Sequence, residues 1–199
     1  MRSLISISLM VAGGLLCVGC AATRPVHYYT IQPAAPPVNP APADGLILLM
    51  GDISTPPALQ DGRIRYRADA NETGAYEYHR WTERPGTMVR NSLERALRAS
   101  GRYQHVLNAA STAPGDYLVR GKLNEFGEVD GGAIQTRISL QVELVDRKTG
   151  RTVWDRLVER DEPVTSKDVP NVVQSLDRNL QHIVNDTAAE IDRFLATKR

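Results

Sequence analysis

The chain has 199 residues, with 24 Lys and Arg against 23 Asp and Glu and a formal net charge of +1. That balance gives no support to a nucleic-acid polyanion partner, and the length suits one domain with a real core rather than two. The two cysteines, Cys17 and Cys20, both lie near the N-terminus, so the body of the chain has no disulfide, thiolate–metal or cysteine-nucleophile chemistry.

The first element is a secretory signal. Arg2 precedes an apolar run from Leu4 to Val18, and Gly19-Cys20 follows. A helix over that run reaches about 22 Å, short of the roughly 30 Å hydrocarbon core, which makes it a poor membrane span and a good signal peptide. Cys17-Val18-Gly19-Cys20 resembles the lipobox of bacterial lipoproteins, with Cys17 where the family prefers Leu. Cleavage between Gly19 and Cys20 is favoured, because a cut before Cys17 would put bulky Leu16 at the cleavage site. The lipobox implies a diacylglycerol on the Cys20 thiol and a further acyl group on its amine. Each buried methylene contributes about 0.8 kcal/mol, so several chains hold a protein to a membrane almost permanently. Ala21 stands where Asp would resemble an inner-membrane retention signal, which implies the periplasmic face of the outer membrane. Cleavage removes Arg2 and leaves a mature chain with no formal net charge.

Residues 26–32 are rich in strand formers; they either pair on a sheet edge or lie at the lipid headgroups, and the density of β-favouring side chains favours pairing. Pro33 to Ala43 holds five prolines in eleven residues and reads as an extended spacer or crossing loop of up to about 34 Å. Leu46 to Ile53, apolar on both faces, predicts a central strand. Arg63–Arg67 and Ala75–His79 alternate cleanly around a turn-rich stretch and predict a hairpin. The arginines Arg63, Arg65 and Arg67 share a face. Without a glycine-rich loop or a basic net charge they read as a solvated, charge-protected sheet edge rather than a phosphate site, with lipid headgroups or a partner protein as the other option.

Val89, Leu93, Ala96 and Leu97 predict a helix capped by Thr82, with Pro85 in its first turn and an end at Gly101. A short strand is expected near Tyr103 to Leu107. Tyr117 to Phe126 alternates, with Tyr117, Val119 and Leu123 on one face and Arg120, Lys122 and Asn124 on the other. Asp130-Gly131-Gly132 turns the chain into a long strand whose apolar face runs Ile134, Thr136, Ile138, Leu140, Val142, Leu144. After the turn Asp146–Gly150, Thr152 to Arg160 returns. A closing helix from about Asp168 to Ala196 has apolar residues at three- and four-residue spacing, Asp168 as its cap and Pro170 in its first turn. The predicted fold class is α+β: an antiparallel sheet, polar on one face, with two helices packed on the other, in a single domain. The expected organisation is a signal peptide over residues 1–19, a lipidated N-terminus with a short strand and proline-rich linker over 20–45, and an α+β domain over 46–199.

No constellation for catalysis stands out. His27, His79, His105 and His182 lie far apart in sequence and outside zinc-type spacing, so no metal site is expected. Lys148-Thr149-Gly150 matches a triplet of penicillin-recognising enzymes, but no Ser-x-x-Lys accompanies it, and it reads as a hairpin turn. No nucleophile elbow, phosphate loop or dinucleotide fingerprint occurs. The expectation is a protein with no catalytic residues and no cofactor beyond the covalent lipid on Cys20.

Several short stretches, in order, resemble one family. They are Tyr28-Tyr29-Thr30-Ile31 soon after the lipobox, Ile53-Ser54-Thr55-Pro56-Pro57-Ala58-Leu59, Ile64-Arg65-Tyr66-Arg67, and Tyr76-Glu77-Tyr78-His79-Arg80-Trp81 just before a helix. Together they look like the auxiliary lipoproteins of ABC-type intermembrane transport systems, of the PqiC/YmbA type. The resemblance implies a non-enzymatic docking component that meets a mammalian-cell-entry (MCE) domain channel protein at the outer membrane, as a ring of identical subunits. The matching positions Tyr28, Tyr29, Pro57, Leu59, Tyr66, Tyr78 and Trp81 are the candidate partner-binding residues it suggests; the competing reading of each is core packing. The rival functions are a lipoprotein activator or scaffold for a peptidoglycan synthase or other envelope complex, which calls for a longer tether, and a periplasmic hydrolase, which calls for a deep pocket with a perturbed carboxylate.

Overall fold

The computed structural model describes residues 24–31, 45–112 and 114–198. The signal peptide, Gly19, Cys20 and the proline-rich segment 33–43 lie outside the described residues. The strands are β1 (His27–Tyr29), β2 (Ile47–Ser54), β3 (Arg63–Arg67), β4 (Thr73–Trp81), β5 (His105–Asn108), β6 (Tyr117–Asp130), β7 (Ile134–Asp146) and β8 (Thr152–Pro163); the helices are α1 (Pro85–Ala99) and α2 (Val169–Ala196).

The fold is α+β in a single domain, and the eight strands form one open sheet built on β6. One edge of β6 pairs along its length with β7, antiparallel, and β7 carries β8. The other edge of β6 is shared: its first half pairs with β2 and its outer half with β3, both parallel. Beyond β2 lies β5, parallel; beyond β3 lie β4, antiparallel, and then β1, parallel to β4. The sheet is therefore mixed, not wholly antiparallel. Alternation with period two reports that one sheet face is buried and is silent on the direction of the neighbours, which is set by the long connections feeding β1, β2 and β5 into the sheet. Central placement of β2 holds, since it lies between β5 and β6. β3 is also an inner strand, flanked by β4 and β6, which corrects its reading as an edge.

Both helices cover one face. α1 lies over β2 and α2 over β7 and β8, and the helices touch each other. Leu48, Leu93, Leu123, Leu140, Leu144 and Leu180 are fully enclosed between the layers. On β7 the predicted apolar face is buried from Thr136 to Leu144. On β6 a bulge after Leu123 shifts the alternation. Phe126, which simple alternation assigns to the polar face, is thereby turned into the core at 2% exposure. Glu128 follows it inward and accepts the Tyr76 hydroxyl at 2.6 Å.

The helix ends follow their sequence signals, with one correction. Pro85 occupies the first turn of α1, so Arg84 and not Thr82 is the capping residue, with no side-chain cap. The Thr82 amide instead donates to the Tyr29 carbonyl at 2.8 Å, tying the strand exit to β1. Gly101, at φ 68°, ends the helix in the left-handed conformation that glycine tolerates best. Asp168 caps α2 as expected, accepting from the Asn171 amide at 2.9 Å. Replacing Asp168 with Ala leaves that amide without its partner; the expected cost is about 1 kcal/mol, read as a lower urea midpoint with an unchanged m-value. A buried polar pin fixes α2 on the sheet: Ser175 and Thr136 hydroxyls are bonded at 2.9 Å, and Asn179 Nδ2 donates to the Thr136 and Arg160 carbonyls at 3.2 and 3.0 Å. The far edge of the sheet is shielded as well, because the Arg98 guanidinium donates to the Val106 carbonyl of β5 at 2.8 and 3.2 Å.

Candidate functional site

The sheet face away from the helices is polar, and over β3, β6, β7 and β8 many of its charges are paired. Arg67 forms a two-pronged contact with Glu125 at 2.8 and 3.0 Å, Arg137 does the same with Asp161 at 2.6 Å twice, and Arg120 reaches Glu143 at 2.9 Å. The Arg137 hydrogen bonds hold the Asp161 carboxyl below the usual range. Arg63 and Arg65 both contact Asp61, at 2.7 and 2.6 Å. Arg67 is thus matched one to one and Arg63 and Arg65 share a single carboxylate, so the three arginines of β3 do not form a free anion site. Beside them, where β3 meets the outer half of β6, lies a cleft of about 210 Å³ with Leu59, Tyr66 and Phe126 among its lining and Arg67, Glu125 and Arg137 at its polar side.

The candidate partner-binding residues separate into three kinds. Trp81 and Leu59 are core residues at 4% and 5% exposure, and the Trp81 ring meets Phe126 edge-on at 5.6 Å. Tyr66 and Tyr29 are half-buried: Tyr66 lies over Gly74, where any Cβ would collide with its ring, and packs on Tyr76 at 5.1 Å. Tyr28 and Pro57 are exposed, and Tyr78 is partly so, with the Arg24 guanidinium 5.7 Å above its ring.

The parallel pairing of β1 with β4 creates a cluster that sequence distance concealed. His27 stacks on His79 with ring centres 5.2 Å apart, the Tyr29 hydroxyl is bonded to His79 Nδ1 at 3.0 Å, and Tyr76 meets the same ring edge-on. The signal was present as two His/Tyr-rich strands, His27-Tyr28-Tyr29 and Tyr76–His79, but nothing in either names the other as partner. Burial, and then the neighbouring His27, hold the His79 pKa below its ordinary value. The unfolded chain therefore binds the proton better, and this site's contribution, full above pH about 6.5, is lost as pH falls toward the lower folded value. Amide-exchange protection of β1 is expected to drop on going from about pH 7.5 to about pH 5.5, and His79→Gln to flatten that dependence; equal protection in the native chain at both values would contradict this.

Among the described residues no group of three or more His, Cys, Asp and Glu is placed to hold a metal ion, and no helix is long and apolar enough to cross a membrane. Burial pushes the Asp177 and Asp192 carboxyls of α2 upward, but Asp192 accepts the Tyr103 hydroxyl and neither borders the cleft.

A single α+β domain whose first strand begins soon after a lipobox-like cysteine defines a class, the small bacterial lipoprotein. More particularly, the chain belongs to the family of ABC-type transport auxiliary lipoprotein components, whose model matches residues 29–188. Among solved structures it is similar to protein XCC0632 from Xanthomonas campestris, at 21% identity over 87% of this chain and 100% of that one, with a TM-score of 0.78. An uncharacterized protein matches at 16% identity over 84% and 99% of the two chains, with a TM-score of 0.66. Both likenesses concern the fold. None of the curated proteins matches the chain.

Proposed function

We propose that this chain is the outer-membrane-anchored docking component of an ABC-type intermembrane lipid transport system, held by lipid on Cys20. Its partner is an MCE-domain channel protein, received by a ring of identical subunits; the chain itself performs no reaction and needs no cofactor besides its lipid. Family membership supports a role beside an ABC-type transporter. The observation that carries the docking reading is the place of β1. β1 pairs with β4, and Ile31 just after it is buried at 3%. The proline-rich segment therefore joins two parts of one domain, and the tether is only the stretch from Cys20 to Arg24. Four residue steps span at most about 14 Å. A domain held that close to the bilayer suits reception of a conduit at the membrane surface and is poorly placed to reach an inner-membrane peptidoglycan synthase. The middle of the polar sheet face, where Arg67, Arg120 and Arg137 are each paired with a carboxylate, suits a protein surface better than a small anionic ligand.

Mild crosslinking of intact envelopes, followed by purification of this chain under denaturing conditions, tests the reading. An MCE-domain protein is expected among the captured species, together with crosslinked multiples of the chain itself. Capture of a peptidoglycan synthase in its place would overturn the assignment.

A further inference from the structure

Three large apolar side chains are exposed among the described residues: Tyr28 at 64%, Leu157 at 55% and Val26 at 39%. Two of the three sit within eight residues of Cys20. Val26 and Tyr28 alternate with His27 and Tyr29; Tyr29 packs against the core, so the other pair turns to the face away from the helices. There Tyr28 stands opposite Arg80, and Arg80 opposite Arg63, across neighbouring strands. Arg24 and Tyr78 complete the patch through their ring contact. Its acids are Asp61, paired with Arg63, and Glu77, next to Tyr78 in β4. Among the described residues Arg80 makes no ion pair and Arg24 contacts only the Tyr78 ring, which leaves two cations beside exposed apolar groups.

We infer that this corner, formed by Arg24, Val26, Tyr28, Tyr78 and Arg80, lies against the phospholipid headgroups of the membrane that holds the Cys20 lipid. The inference rests on the anchoring of Cys20 and adds to it a fixed orientation. The headgroup layer is about 5–8 Å deep on each side of a bilayer, and the tether allows at most about 14 Å between the Cys20 and Arg24 Cα atoms. The start of β1 must then stand at or next to the headgroups. Tyrosine places its ring in that layer with the hydroxyl toward water, and arginine pairs with lipid phosphate. Because β1 is hydrogen-bonded into the sheet, contact at this corner orients the whole domain: the β7–β8 turn at Asp146–Gly150, at the other end of those strands from Asp130 and Pro163, points away from the bilayer.

The test uses the full lipidated chain in vesicles of phosphatidylethanolamine and phosphatidylglycerol. Acylation blocks Cys20 and Cys17 leaves with the signal, so Val26→Cys, Lys148→Cys and Leu157→Cys each offer a single thiol for a nitroxide label; far-ultraviolet circular dichroism confirms that each variant folds. The label at position 26 is expected to be shielded from a water-soluble relaxing agent by about fivefold relative to position 148, and to gain access to oxygen, while position 157 behaves like 148. Chain that floats with the vesicles but shows equal aqueous access at 26 and 148 overturns this inference and leaves the anchor standing. Chain that fails to float overturns both. Shielding at 26 with spin–spin broadening and no gain in oxygen access means that a second copy covers the corner, which also overturns it.

Discussion

Replacing Cys20 with Ala is expected to release the chain from the membrane fraction while leaving the domain folded. The two halves of that expectation have separate causes. Attachment depends on acyl chains at about 0.8 kcal/mol per buried methylene, and removing the sulfur that carries them removes nearly all of it; the corner around Tyr28 contributes only a surface contact. Folding depends on a core to which the N-terminal segment adds little beyond Ile31 and the β1 pairing. Fractionation of envelopes, with protease resistance of the released chain as the folding control, reads both. A Cys20→Ala chain that has lost its signal and still remains in the membrane fraction would refute the anchor.

Trp81→Ala is expected to have the largest effect on stability among the family-matching positions. The side chain is 4% exposed, closes the junction between β4, β1 and the outer half of β6, and contributes an edge-on contact with Phe126. Truncating a buried tryptophan costs about 3–5 kcal/mol, against a total of about 5–15 kcal/mol for an ordinary domain. The midpoint of thermal unfolding should fall by about 6–20 °C for a chain of this size. Tyr28→Ser, at an exposed site, should move it within about 0.5 kcal/mol of the parent. Unchanged thermal stability in Trp81→Ala, with loss of partner capture alone, would mean that Trp81 is a contact residue after all.

These two positions show how far the sequence could be read. The pattern of short motifs singled out Trp81 as a candidate contact, yet a motif gives no burial, and a tryptophan before a helix looks the same whether it faces a partner or the core. Elements governed by local spacing were legible: both helices, the Asp168 cap, the Gly131-Gly132 and Thr149-Gly150 turns, and the buried face of β7. What was lost depends on contacts remote in sequence. β1 and β2 enter the sheet parallel to their neighbours, and no local signal encodes that direction. The bulge after Leu123 reverses which side chains face inward, so Phe126 and Glu128 enter the core against the simple alternation. The charges of β3 looked like edge protection because their carboxylate partners, Asp61 apart, lie on a strand nearly sixty residues away: Arg67 meets Glu125.

The same remote pairing gives the functional account its shape. If Cys20 is lipidated as proposed, a three-residue strand seated on β4, with the His27–His79 stack at its seat, leaves only a short stretch between the lipid and the folded domain. On the proposed reading the domain is then presented at the membrane in one attitude, as a receiving ring would need.

The most direct measurement is the intact mass of the N-terminal peptide of the mature chain, isolated from envelopes. The expected peptide begins at Cys20 and carries diacylglycerol on sulfur and an acyl group on its amine. A peptide with an unmodified cysteine, or one beginning upstream of it, would contradict the claim that lipid on this residue holds the domain in place.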